Sequence, residues 1–128
     1  MKIGYLEGTD PDLLAKLVLD GHGTLPLGNG WDNHGKYINH LTPQDKVNAV
    51  VGYLHKIFPP DGGAEGPLDI LAACRNQKIP VYLIVVRAKH EAAKAYLKKV
   101  GEGVILVDPS DVYDELTKLG KKSKTAQR

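Results

Sequence analysis

The sequence predicts one three-layer α/β domain with a mostly parallel, doubly wound sheet of four to five strands. Three observations predict it. Short apolar runs alternate with segments of helical periodicity along the chain. One run, residues 79–86, is almost continuously apolar, as expected of a strand buried on both faces. Polar and glycine residues gather after the strands rather than before them. Alternation of this kind builds β-α-β units, and right-handed crossovers then put helices on both faces of the sheet.

Residues 3–6 are the first apolar run and read as a buried strand. Asp10 and Pro11 come next, an N-cap and a first helical residue whose missing N–H costs nothing. Leu13, Leu14, Leu17 and Val18 recur at helical spacing, and Gly21 is a natural stop. Residues 24–27 form a second, short strand despite Pro26. From Gly28 to His40 glycine, asparagine and histidine dominate, so this stretch is expected to be irregular. Residues 42–58 fit either a helix or a strand. The β-branched content around Val47, Val50 and Val51 favours one helical turn at 43–46 followed by a strand.

A loop comes after Phe58, and Pro67 opens a helix to about Gln77 with Ile70, Leu71, Ala73 and Cys74 as its apolar members. After the strand at 79–86, residues 89–100 have an amphipathic helical pattern. Residues 104–107 are a further strand, and Asp108-Pro109-Ser110 starts a last helix carrying Val112, Leu116 and Leu119. The α/β domain is therefore expected over 1–120. Residues 121–128 hold four basic and no acidic residues and read as a disordered tail.

Composition narrows the function classes. At 128 residues the chain suits a single domain with its own core. Without the tail, 13 basic residues face 15 acidic ones, which leaves no electrostatic footprint for nucleic acid. The single cysteine, Cys74, permits no internal disulfide and predicts a reducing, cytoplasmic setting. The opening residues lack the charged start and apolar run of a signal peptide. No apolar stretch approaches the length of a membrane span.

Ligands of open parallel sheets bind beyond the carboxyl ends of the strands. The first strand is followed there by Glu7, Gly8, Thr9 and Asp10, and the second by Gly28, Asn29, Gly30, Trp31, Asp32, Asn33 and His34. The third is followed by His55 and then Asp61, Gly62, Gly63, Glu65 and Gly66; Arg87 and Asp108 close the series. Glu7 and Asp32 are candidate catalytic acids, with Glu7 a general base or an acceptor for ligand hydroxyls. The glycines of 61–66, ahead of a helix, suit the close approach of a phosphate. They equally suit a tight strand-to-helix loop. Gly8, Gly28, Asn29, Gly30, Trp31, His34, Gly62, Gly63, Glu65, Gly66 and Arg87 make up the candidate ligand-binding set, with Trp31 or Tyr37 placed to stack on a ring. Asp32, His34, His40, His22 and His55 admit a metal-dependent hydrolase, but the spacing of His34 and His40 matches no familiar ligand pair and no cysteine joins them, so neither metal nor cofactor is expected.

The run Gly62-Gly63-Ala64-Glu65-Gly66-Pro67-Leu68-Asp69-Ile70-Leu71-Ala72-Ala73, with Lys78-Ile79-Pro80-Val81 after it, resembles a segment shared by two groups of enzymes. These are the nucleoside 2-deoxyribosyltransferases and the lysine-decarboxylase-like phosphoribohydrolases. The resemblance implies a Rossmann-like fold, a nucleotide or phosphosugar ligand, and cleavage or transfer of an N-glycosidic bond. It makes Asp69 a third catalytic candidate. Pro67 stands where those groups have threonine, and their acidic position falls on Ile70, one residue from Asp69 and about 100° around a helix. The other reading of the chain is a non-catalytic binding module or homo-oligomeric assembly unit, since one α/β scaffold hosts unrelated functions.

Overall fold

Lys2–Leu6 forms strand β1, and the turn after it leads into helix α1, Pro11–Leu19. The computed structural model describes the backbone of residues 1–29, 34–57, 70–97 and 103–126, and their side chains as far as residue 119. Asp10 caps α1 as its position predicts: its carboxylate accepts the Asp12 N–H at 2.9 Å, and Pro11 occupies the first turn. Strand β2 is Gly23–Gly28 and β3 is Lys36–Tyr37. Two 3₁₀ turns, Ile38–His40 and Pro43–Asp45, lead to β4, Ala49–Tyr53. A further 3₁₀ turn, Leu54–Ile57, succeeds β4. Then come α2 (Ala72–Asn76), β5 (Val81–Ile84), α3 (His90–Tyr96), β6 (Val104–Val107) and α4 (Val112–Ala126).

Among the described residues six strands lie in one parallel sheet in the order β3-β2-β1-β4-β5-β6. This is the doubly wound order of Rossmann-like folds, with the winding reversed between β1 and β4. Side-chain alternation splits the core into two halves. Ile3, Ala49, Val51, Tyr82, Ile84 and Val107 face α1 and α4, which contribute Leu13, Leu17, Val112 and Leu116. Leu6, Leu27, Val50, Val81 and Leu83 face the other way, towards Ile70, Leu71, Cys74, Leu97 and the crossover residues Ile38, Leu41 and Val47. The apolar members of the helix around residue 72 are thus buried in the chain's own core.

The described residues form six strands where the sequence predicts four to five. The addition is β3, inside the stretch expected to be irregular. It is two residues long and pairs only with Leu27 and Gly28, so it leaves no apolar alternation to read. Among the described residues β3 pairs with β2 only from Leu27 onward, so no outer strand pairing calls on the N–H that Pro26 lacks. The ambiguous segment at 42–58 resolves as a turn followed by a strand. Thr42 and Asp45 form a capping box around the turn, and β4 is buried over Ala49–Gly52. The last helix begins at Val112 rather than at Asp108-Pro109-Ser110. The Asp108 carboxylate instead accepts the Ser110 N–H at 3.0 Å and the Ser110 hydroxyl at 2.6 Å, closing a turn first. The α4 backbone continues to Ala126, into the basic segment.

A candidate ligand site at the reversal of winding

The two central strands end alike. β1 ends Tyr5-Leu6 and is followed by Glu7-Gly8; β4 ends at Tyr53 and is followed by Leu54-His55-Lys56. They can lie this close because Gly52 has no side chain. A Cβ there would stand 2.7 Å from Leu6 Cδ1 and 2.8 Å from Leu6 Cβ. Beyond them the chain turns at Gly8, whose φ of +84° only glycine adopts cheaply. The Thr9 hydroxyl donates to the Leu6 carbonyl at 2.6 Å and closes that turn.

Glu7 and Lys56 pair across this junction. The Lys56 side chain is 20% exposed and that of Glu7 is 44% exposed, so both reach the surface from a partly covered base. Lys56 lies along the turn, and a Cβ on Gly8 would be 3.6 Å from its Cε. Its backbone carbonyl accepts the Asn29 side-chain N–H at 2.8 Å. Asn29 is only 1% exposed, so this bond ties the end of β2 to the end of β4 from within.

Two histidines complete the junction, each against one of the strand-end tyrosines. The His34 ring meets Tyr5 edge-on, with centroids 5.5 Å apart. His34 Nδ1 lies 3.1 Å from the Leu27 carbonyl oxygen. A carbonyl only accepts, so Nδ1 carries the proton of that bond. His55 stacks on Tyr53 at 5.9 Å. The hydrogen bond and charge of Lys56 hold the Glu7 carboxyl below the usual carboxylate range, with smaller help from His34 and His55. Glu7 is therefore a standing carboxylate: an acceptor and an anion, not a proton donor, near neutral pH.

Of the candidates named from sequence, Glu7, Gly8, Gly28, Asn29 and His34 come together at this junction. Asp32, Gly30 and Trp31, and Gly62, Gly63, Glu65, Gly66 and Asp69, lie outside the described residues. Arg87 is held elsewhere. Its guanidinium pairs with Asp111 and its N–H donates to Asp108 at 2.8 Å, at the ends of β5 and β6. The histidines scatter: His22 bonds the amino terminus at the opposite end of β2, and His40 packs edge-on against Tyr37. Among the described residues no three His, Cys, Asp or Glu side chains gather as a metal site. Cys74 is buried in the core, and burial pushes its thiol up to about 12. Among the described residues no helix is long and apolar enough to cross a membrane.

Lys56 is the residue that sequence reading misses. Its only signal is its place, three residues past a strand end, and a lysine there reads as ordinary surface. Neither the scan against protein-family models nor the search of curated proteins found a match to this chain.

Proposed function

We propose that the protein binds a nucleotide or phosphosugar at the carboxyl ends of β1 and β4 and acts on its N-glycosidic bond. The observation that carries this reading is the Glu7–Lys56 pair, set at the reversal of winding with His34 and His55 beside it. Such junctions are the preferred ligand crevices of open α/β sheets. Lys56 supplies positive charge for a phosphate. Glu7, held ionised, suits sugar hydroxyls or the positive charge that develops on a sugar ring as its bond to the base breaks. The imidazoles offer proton transfer to the departing base. The glycine-rich run 62–66, six residues beyond Lys56, and its resemblance to nucleoside-processing enzymes point the same way. Such a ligand and the buried thiol both suit a cytoplasmic protein.

Thermal denaturation with nucleosides, nucleotides and sugar phosphates, then chromatography for released base, tests the proposal. A phosphorylated nucleoside should stabilise the fold by mass action and lose its base. Glu7→Gln should abolish base release without weakening binding. A flat response across the panel at millimolar concentrations overturns the reading.

One observation favours a second reading, an assembly module. β6 ends the sheet and pairs on one side only among the described residues, and Ile105 on it is exposed. An open edge of this kind can pair with a second copy. Light scattering should then show a dimer that Ile105→Lys dissolves; a wild-type monomer overturns it.

A further inference from the structure

Lys56 is prepared for an anion. Its stem is laid against the turn at Gly8, its side chain is mostly covered, and its backbone is pinned by buried Asn29. These contacts fix the path of the side chain and leave its ammonium at the mouth of the β1–β4 junction. There it meets one carboxylate among the described residues, Glu7. An ammonium offers three donors. A phosphate monoester carries nearly two charges and three acceptor oxygens, more than a carboxylate presents. A partly exposed ion pair is weak and easily exchanged.

Building on the proposed nucleotide or phosphosugar site, we propose that Lys56 is its phosphate-binding residue and that Glu7 is the resident competitor. The incoming phosphate takes the Lys56 ammonium. The released Glu7 carboxylate then turns to the sugar. No bond is made or broken in this exchange; one ion pair replaces another. The phosphate half of the ligand thereby activates the residue that serves the sugar half. A nucleoside without phosphate would find Glu7 still engaged.

Calorimetric titration with inorganic phosphate and with ribose 5-phosphate tests the exchange in wild-type protein and five variants. Removing the competitor should tighten binding: Glu7→Gln is expected to gain about two- to fivefold for both probes, the worth of a partly exposed ion pair. Glu91→Gln makes the same change in net charge on α3, at a residue paired with Lys94, and should gain nothing. Lys56→Met should lose most of the affinity, and Glu7→Gln added to Lys56→Met should restore none of it. Lys56→Arg keeps a cation, should retain binding, and shows that loss in Lys56→Met is not misfolding. In wild-type protein, phosphate should also move the Glu7 carboxyl carbon resonance and raise its titration midpoint towards the ordinary range.

Both probes binding without a gain in Glu7→Gln would overturn the exchange and leave the binding site standing. An equal gain in Glu91→Gln would reduce the effect to net charge and overturn it too. Binding of ribose 5-phosphate but not phosphate, insensitive to Lys56→Met, would give the phosphate another residue. No binding of either probe would overturn both the exchange and the site.

Discussion

Among the described residues two ion pairs join neighbouring strand ends at the carboxyl edge of the sheet, and they differ in their surroundings. Arg87 and Asp111 link the ends of β5 and β6 with side chains 72% and 45% exposed. Around them are turn contacts: Asp108 accepts from Arg87 and Ser110, and the His90 ring bonds the Val85 carbonyl at 2.7 Å. Glu7 and Lys56 link β1 and β4 where the winding reverses. A buried amide lies behind Lys56, two histidines act on Glu7, and a glycine lies under the lysine stem. An ion pair alone says little about function, because most such pairs are solvated ties. The second pair is set apart by its surroundings: a buried amide holds the Lys56 backbone, and two histidines add positive charge near Glu7.

The largest expected difference between the two is in ligand affinity. Lys56→Met should weaken ribose 5-phosphate binding about ten- to a hundredfold, the worth of one charge-assisted hydrogen bond. Arg87→Met should change it less than about twofold, within ordinary surface effects. Calorimetric titration of both variants reads the contrast directly, and equal losses would erase the distinction drawn between the two pairs.

Next in size is the close approach of β1 and β4. Gly52→Ala forces a methyl group against Leu6, where Cβ and Cδ1 stand 2.8 and 2.7 Å from its ideal position. Overpacking at such a contact should cost about 2 kcal/mol, read from the urea midpoint. The strain falls on Leu6, one residue from Glu7, so binding should weaken in the same variant. If stability drops and binding does not, the site does not depend on how tightly these strands meet.

Much of the fold is legible in the sequence, for physical reasons that differ by element. Strands buried on both faces, such as Val81–Ile84, announce themselves because burial demands apolar residues at every position. The helix start at Asp10-Pro11 is legible because capping has few chemical solutions. Lys36–Tyr37 is not, since a two-residue edge strand is held by backbone bonds that any side chains permit. At the site, Glu7, Asn29 and His34 are found in the sequence because each stands just past the end of a strand. Their meeting with Lys56 and His55 is not, because it depends on β4 lying beside β1, a long-range choice that no local pattern encodes. Lys56 escapes notice for the same reason: only its neighbours distinguish it.

The smaller effects belong to the β5–β6 end. Hydrogen bonds from the Ser110 side chain and backbone and from the Arg87 N–H hold the Asp108 carboxyl down to about 2. The ordinary value is about 3.9, so ionised Asp108 favours the folded chain above about pH 4. That contribution drains away as the pH falls through about 2. Asp108→Asn should therefore be less stable than wild type at pH 6, with the gap much narrower at pH 2.5. Urea midpoints at the two pH values check it, and a gap that stays constant would mean that the turn does not depend on the charge.

Least of all should come from breaking the exposed pair itself. Asp111→Asn leaves Arg87 able to reach water and leaves the Asp108 turn intact, so stability should change by less than about 0.5 kcal/mol. The same substitution should leave phosphate binding untouched, because neither Arg87 nor Asp111 acts on Glu7 or contacts Lys56 among the described residues. A loss well above that size would mean that Arg87–Asp111 is more than a solvated tie. The contrast between the two pairs would then rest on ligand affinity alone, where the Lys56→Met and Arg87→Met titrations decide it.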